Sequence, residues 1–447
     1  MANSRKSKSD LTQRVAATLE PVVPAGSTLL VGLSGGMDSV VLLHLLRQVA
    51  PRYSWHISAL HVHHGISSHA GDWAAFCLEL CEGMGVPCLV ERVTIAPLRE
   101  MGIEAAARKL RHAALDRQPA DFIVLAHHLD DQAETLLLQL LRGSGPRGAA
   151  AMPLLRERPG LPAQLRPLLD ATRSELLAYA QQHGLRWVED ESNADDAYPR
   201  NFLRLRVLPL LEQRFPAYRE TLGRSVRHFA EASALLDELA LQDAQGALHG
   251  DSLEVGRLQA LPPHRARNLL RSFLYQLGAP MPQSVQLDTM LQQLCGARRD
   301  AAVLLEFGGW QIRRYQGRAY ALPQLPEPDK TIRVRWQGEV RLELPELGGV
   351  LYFEHADGTG VSLEKLKRDA VTVRLRQGAE KIRTDCRRPT RILKKLLQEL
   401  GIPPWRRERL PLLFCGEELA AVAGVGVACN YQAGPGEAGV VPRWEVS

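Results

Sequence analysis

The stretch Leu29–Leu43, LLVGLSGGMDSVVLL, constrains this chain more than any other. A short apolar run ends in Ser34-Gly35-Gly36-Met37-Asp38-Ser39, and a second apolar run follows without a gap. A brief, bounded run reads as a buried strand, and Asp38-Ser39 ahead of Val40–Leu43 reads as a helix start. The unit is strand, tight turn, helix. Paired glycines let backbone approach a ligand closely, and the turn's N–H groups with a helix N-terminus form an anion site. The hydroxyls of Ser34 and Ser39 add donors. A carboxylate beside a polyphosphate repels it unless it holds Mg2+, which gives Asp38 a reason to be there. An ordinary glycine turn between strand and helix is the simpler alternative.

The loop lacks the lysine of GxxxxGK[ST] and the spacing of GxGxxG. Its order, S-G-G-x-D-S, resembles the PP-loop of the N-type ATP pyrophosphatases. That resemblance implies a grip on the pyrophosphate of ATP and transfer of AMP to a carbonyl oxygen.

Around this unit, strand-like runs alternate with helical ones. Helices are expected at 11–22, Ala74–Met84, Ile103–Arg117 and Gln132–Arg142, and strands at Ser54–Val62, Pro87–Ile95 and Asp121–Ala126. This alternation predicts a parallel, doubly wound sheet, whose ligands bind beyond the carboxyl ends of the strands. Polar clusters fall at those ends: SGGMDS, then His61-Val62-His63-His64-Gly65, then His127-His128-Leu129-Asp130-Asp131. Each has an ordinary reading. His63 and His64 can cap a strand, Arg108 can pair with Glu104 on a solvated helix face, and Asp130 and Glu134 can cap a helix. Asp130, Asp131 and Glu134 are nevertheless more acid than one cap requires, and suit Mg2+ or a cationic substrate.

The chain's 447 residues predict two or three domains, and 45% apolar with 23% charged residues fits a soluble globular protein. No apolar run reaches membrane-spanning length, and the basic start, MANSRKSKSD, has no apolar segment behind it, so no signal peptide is expected. Seven cysteines without a CxxC pair suggest reduced thiols and a cytoplasmic protein. Residues 143–170, rich in Gly, Pro and Arg, read as a mobile loop that ends in the run Leu165–Leu169, and Thr172–His183 as a helix. Pro199 opens a basic helix, with seven arginines against Glu212 and Glu220 over 199–227. Such a run is a solvated face or an RNA-backbone contact.

Residues 217–325 read as mostly helical (Phe229–Leu241, Pro263–Leu277, Val285–Leu294) and finish on strands at Ala302–Phe307 and Trp310–Tyr315. Pro323, Pro326 and Pro328 mark a linker to a partly β region. There, residues 361–410 carry a net charge of +9, against +5 for the whole chain, an electrostatic footprint for nucleic acid. Ile392–Leu400 reads as a helix bearing Lys394 and Lys395, and Arg406 and Arg407 follow. Trp405 suits base stacking or a core position.

SGGMDS, HVHHG, EAAARKLR, HHLDDQAETLLLQLLRGSG and DESN…RNFLR, in this order, resemble the tRNA(Ile)-lysidine synthase family over residues 26–210. The match resumes in RQGAEKIR and KKLLQELGIPPWRRERLPLL. DDQAET and RNFLR set it apart from other PP-loop enzymes; no paired cysteines suggest a tRNA thiolase, and no glutaminase half suggests a GMP or asparagine synthetase. The resemblance implies an α/β fold: a Rossmann-like doubly wound parallel sheet (1–216), a mostly helical domain (217–327) and a small basic α+β C-terminal domain (328–447). It implies ATP and Mg2+ as cofactors, with the nucleotide on Ser34, Gly35, Gly36, Met37, Asp38 and Ser39 and the metal on Asp38. The implied partners are L-lysine and a tRNA(Ile) with a CAU anticodon, with no membrane; a homodimer is left open. Cytosine O2 would attack the α-phosphorus of ATP, and the lysine amine would then displace AMP from C2, changing codon reading from AUG to AUA. Asp38, Asp131, Glu134 and Arg108 are the implied catalytic residues. Arg108 and Arg111 suit the phosphates, and Asp130, Asp131 and Glu134 suit lysine. Arg200, Asn201, Arg204, Lys394, Lys395, Arg406 and Arg407 suit the tRNA. A PP-loop enzyme for another nucleotide or amide, and a non-catalytic RNA-binding protein, are the alternatives.

Overall fold

The computed structural model of the chain describes residues 10–94, 102–298, 301–324 and 326–446. The predicted end of the third strand at Ile95 and the N-terminal residues 1–9 lie outside these, as do the side chains of Glu104, Ser192 and Asn193. The chain divides into two compact units, Met1–Leu236 and Asp237–Ser447.

The first unit runs α1 (Leu11–Leu19), β1 (Thr28–Gly32), α2 (Met37–Tyr53), β2 (His56–His63), α3 (Ala70–Met84), β3 (Cys88–Arg92), α4 (Ile103–Asp116), β4 (Phe122–Val124), α5 (Leu129–Leu141), α6 (Pro146–Ala149), β5 (Leu155–Arg156), β6 (Ala163–Leu165), α7 (Arg173–Gln182), α8 (Pro199–Phe202), α9 (Leu208–Arg214) and the part of α10 (Tyr218–Ala244) up to Leu236. The six strands stand in the order β3-β2-β1-β4-β6-β5, all parallel except β5. The order reverses between β1 and β4, and that switch point is where doubly wound sheets bind ligands. Helix α2 is apolar almost all round because it is enclosed: Val40 to Leu43, Leu45 and Leu46 are fully buried among β1, α1 and α7. The other sheet face packs Leu30, Leu60, Ile123 and Leu125 against Ala114 and Leu115 of α4. A sheet buried on both faces is expected of parallel strands.

Two predicted segments resolve differently. Residues 143–170 contain α6, β5 and β6, whose short strands are masked in sequence by Gly and Pro punctuation. The amide of Gln132 anchors this segment, donating to the Met152 carbonyl (2.8 Å) and accepting from its N–H (3.0 Å). The basic run from Pro199 passes through a π turn, Leu203–Val207, and breaks at Phe215 before α10 begins.

In the second unit, helices Pro263–Gln276 and Ser284–Gly296 share a core with a five-stranded antiparallel sheet. That sheet includes the expected strands at 304–307 and 310–315 and adds Leu248–His249, Ser252–Glu254 and Arg318–Pro323. The C-terminal part has two further antiparallel sheets of five and four strands around Trp336, Phe353 and Val440, and a two-stranded one that pairs Lys381–Ile382 with Arg391–Ile392. The expectation of thiols alone is corrected here: Cys386 and Cys429 form a disulfide across a Cα–Cα distance of 5.6 Å, and the other five cysteines are free. Their separation of 43 residues carries no pairing signal in the sequence; the fold brings them together.

Candidate active site

Strand β1 delivers the glycine turn to the switch point. Gly35 sits at φ +86°, and a side chain there would meet Val188 Cγ2 at 2.9 Å and Cys77 Sγ at 3.2 Å, so packing and backbone both demand glycine. Its carbonyl accepts the Val188 N–H (3.0 Å), which ties the segment leading into Asp190 to the loop. Gly36 is the N-cap of α2, with no side chain capping the helix. The Ser39 hydroxyl donates to the Gly36 carbonyl (2.9 Å) and accepts the Ser34 N–H (3.2 Å), while the Ser34 hydroxyl accepts the Gly36 N–H (3.3 Å). His61, at the end of β2, donates its Nδ1–H to the Leu33 carbonyl (3.0 Å) and steadies the loop from the adjacent strand. The first turn of α2 is thus uncapped and presented at the sheet's carboxyl edge, as an anion site requires.

Across the switch point, β4 leads through His127 and His128 into α5. The Asp131 carboxylate accepts the His128 N–H (2.9 Å) and caps α5, while Asp130 reaches to the next helix and accepts the Arg173 N–H at the start of α7 (2.9 Å). The expected cap of α5 by Asp130 and Glu134 is corrected: Asp131 makes it, Asp130 serves α7 instead, and Glu134 holds arginines. Buried His128 lies 3.6 Å from Asp38, 3.6 Å from Asp130 and 3.5 Å from Asp131. Burial opposes its charge, but Asp131, Asp130 and Asp38 outweigh burial and raise its pKa to about 10, so it is an imidazolium at neutral pH. Burial likewise works against Asp130 and Asp131, and the cations around them overcome it and lower both.

Those cations include three arginines. Arg200 Nε donates to Glu134 Oε2 (2.6 Å) and its Nη2 to Asp131 Oδ1 (2.7 Å). Arg204, on the π turn, grips Glu134 through Nε (2.6 Å) and Nη2 (3.0 Å). Arg219 of α10 joins Asp130 to Glu212. Glu134 is 1% exposed, so its charge is stabilised by Arg200 and Arg204 together. Five carboxylates (Asp38, Asp130, Asp131, Glu134, Glu212) therefore face four cations (His128, Arg200, Arg204, Arg219). The loosely held charge is that of Asp38: its Oδ1 is buried with no hydrogen-bond partner, and the side chain is 35% exposed. One carboxylate with a vacant oxygen beside a phosphate-binding turn fits Mg2+, which binds through one or two carboxylates plus substrate phosphates.

The predicted residues thus separate into groups. Ser34–Ser39, Asp38, Asp130, Asp131, Glu134, Arg200 and Arg204 converge; Arg200 and Arg204 turn inward onto the acids. Asn201 donates to the Asp195 carbonyl (2.9 Å). Arg108 and Arg111 stand on α4 and form a cationic field: burial and Arg108 lower the pKa of Arg111, and burial with the same field holds His112 near 4. In the second unit, Lys394 and Lys395 are exposed, Arg406 pairs with Asp251, and Arg407 is buried and donates to Tyr315 Oη (2.5 Å). Trp405 lies edge-on to Tyr315 and Tyr320 under the Arg313 guanidinium, so its ring packs within its own unit. His128 and Arg219 were missed as site residues; the first stood inside HHLDD and the second among the seven arginines, but only the fold gives them acids to hold.

Comparison with known proteins bears on this geometry. A PP-loop domain model matches residues 7–211, which supports ATP use, and models of a TilS substrate binding domain and a TilS substrate C-terminal domain match 253–320 and 371–444. The tRNA(Ile)-lysidine synthase of Nitrosomonas europaea is 45% identical over 100% of this chain and 98% of its own length. The chain belongs to the tRNA(Ile)-lysidine synthase family. These enzymes are ligases that form a carbon–nitrogen bond. The tRNA(Ile)-lysidine synthase of Azoarcus sp. is 42% identical over 94% of this chain and 92% of its own. A solved U34-tRNA thiolase from Methanococcus maripaludis is 20% identical, covering 49% of this chain and 78% of that one, with a TM-score of 0.44. Within the family's PP-loop domain, the SGGMDS turn and the HHLDD helix are the two halves that meet at the switch point.

Proposed function

We propose that this chain joins L-lysine to C2 of the wobble cytidine of a tRNA(Ile) with a CAU anticodon. The products are lysidine, AMP and pyrophosphate, and decoding moves from AUG to AUA and from Met to Ile. The relatives' names support the tRNA(Ile) substrate. The observation that carries the reading is the meeting, at one switch point, of an uncapped phosphate turn and an acid cluster with one carboxylate more than its cations, the loosely held one being Asp38.

Cytosine O2 attacks the α-phosphorus of ATP, and pyrophosphate departs into the N–H groups of Ser34–Ser39. O2 then leaves C2 as part of AMP when the lysine ε-amine attacks. That amine, of pKa near 10.4, enters protonated and must lose its proton. Asp130, Asp131 and Glu134 are the proposed acceptors for lysine's cationic groups and for that proton. Their oxygens already hold guanidinium N–H groups, so a lysine ammonium takes the place of such a donor. Arg108 and Arg111 face the phosphates and the developing charge. Mg2+ held by Asp38 would neutralise phosphate charge. We assign tRNA contact to Lys394, Lys395 and Arg406, with Arg407 bracing them from the interior, and we divide the chain functionally at 1–216, 217–327 and 328–447. No described helix is long and apolar enough to cross a membrane, and we place the enzyme in the cytoplasm. Pyrophosphate release is the test, assayed with tRNA(Ile) or tRNA(Met) transcripts and each amino acid. Release that depends on tRNA(Ile), with lysine alone consumed, supports the reading; release without RNA points to another PP-loop enzyme, and no release points to an RNA-binding protein.

A further inference from the structure

Arg166 leaves the carboxyl end of β6, the strand next to β4, with its side chain 5% exposed. Nη1 donates to the Pro153 carbonyl (3.1 Å) and Nη2 to Gln164 Oε1 (2.9 Å), and the Gln164 amide in turn meets His112 Nδ1 of α4 (3.3 Å). Nε is buried and has no hydrogen-bond partner. Among the described residues no carboxylate forms an ion pair with Arg166. Burial lowers its pKa to about 10, and the charged groups that push it further are all arginines: Arg156, Arg108 and Arg158. Burying a charge is costly unless it is paired, so a buried guanidinium facing other guanidiniums is arranged for an anion that arrives. Arg314 of the second unit is likewise buried with an unpartnered Nε and donates to two carbonyls; what sets Arg166 apart is its place at the carboxyl end of a strand of the parallel sheet, where ligands bind. The neighbouring imidazoles add no charge: burial holds His127, whose Nδ1 is also an unpartnered buried nitrogen, near 3, and Arg166 and Arg108 contribute to that.

We propose that Arg166 is a receptor for a phosphate group at the β4–β6 edge of the site. The inference rests on the reading that this unit handles both ATP and RNA. Two strand spacings separate β6 from β1, about 10 Å, so Arg166 stands on the side of the acid cluster, away from the pyrophosphate turn. That placement favours a backbone phosphate of the RNA beside the target nucleotide, and the terminal phosphates of ATP are the other source of the same chemistry. Pro153 and Gln164 occupy Nη1 and Nη2, which leaves Nε–H as the donor without a partner.

The test uses the full chain with Arg166→Gln, which keeps a donor for the Pro153 carbonyl and removes the charge, and Arg166→Lys, which keeps the charge. ATP affinity is measured without RNA, and affinity for a tRNA(Ile) transcript is measured across a salt series. With RNA as the source, Arg166→Gln lowers the slope of log K against log salt by about 0.7–0.9 and leaves ATP affinity within about twofold, while Arg166→Lys keeps the slope. With ATP as the source, nucleotide affinity falls about tenfold or more and the RNA slope stays. If both affinities and the slope match wild type while only the melting temperature drops, Arg166 is a structural tie and the proposal is overturned. Should Arg166→Gln not fold, Arg166→Met, which keeps most of the side-chain length and removes the charge, decides: a lower salt slope or weaker ATP binding supports the receptor, and unchanged binding of both overturns it. None of these measurements depends on turnover, so a wild-type enzyme that released no pyrophosphate would defeat the proposed function without deciding the receptor.

Discussion

Glu134→Gln isolates the charge balance of the site. The side chain is 1% exposed and accepts from Arg200 Nε at 2.6 Å and from Arg204 Nε and Nη2 at 2.6 and 3.0 Å. Glutamine preserves the volume and removes the charge, so two guanidiniums are left on Asp131 alone. Removing one partner of a buried ion pair costs about 3–5 kcal/mol. Arg200 and Arg204 are 25% and 31% exposed, so water solvates part of what is lost, and about 2–4 kcal/mol is expected. For a unit of this size each kcal/mol moves the melting point by about 2–4 °C, so the variant should melt roughly 4–16 °C lower. Calorimetry on the full chain reads this, with the first unit's transition identified by its upward shift on adding ATP. Arg204→Met in a double-mutant cycle should couple to Glu134→Gln by about 1 kcal/mol or more. A melting point within about 1 °C of wild type, or strict additivity in the cycle, would refute the idea that these arginines hold a charged Glu134.

Three further outcomes are expected. Asp38→Asn should abolish pyrophosphate release while leaving the melting temperature within about 2 °C, because its Oδ1 has no partner to lose and its Oδ2 makes only a 3.6 Å contact with His128, which Asp130 and Asp131 also hold; Mg2+-dependent release at the wild-type rate would remove the metal role. Lys394→Gln with Lys395→Gln should lower the salt slope of tRNA binding by about 1.4–1.8 without loss of stability, whereas Arg407→Met should lower the melting point, since that guanidinium is buried on Tyr315. Burial holds His64 and His112 near 4 and His127 near 3, below their unfolded values, so unfolding takes up protons and stability falls as pH drops from about 6.5 toward 4; His128, raised to about 10, contributes stability that is complete below about 6.5 and lost as pH climbs toward 10. Melting temperatures across that range should peak near neutrality, and a flat profile would contradict these four protonation states.

The parallel sheet and its ligand edge were legible because β1 and α2 are apolar blocks on either side of one glycine turn, and because polar clusters recur at later strand ends. Strands of two or three residues, such as β5 and β6, were not, since so short a run has no period and Pro and Gly flank it. In the site, residue types were readable and pairings were not. Arg200 and Arg204 look alike as solvated cations or RNA contacts until α8 and the π turn are placed against α5. Asp130 and Asp131 are neighbours in sequence, yet they cap different helices. Arg407 sits in a basic run that reads as surface, and only the packing of the second unit turns it onto Tyr315.

Mass spectrometry of nucleosides from a tRNA(Ile) transcript, incubated with the enzyme, ATP, Mg2+ and a mixture of all amino acids, tests the central claim most directly. The account predicts one modified nucleoside, a lysine adduct of the anticodon's wobble cytidine, formed with one AMP and one pyrophosphate per adduct and absent with Asp38→Asn. An adduct of another amino acid, modification at another position, or lysine transfer without release of AMP would contradict it.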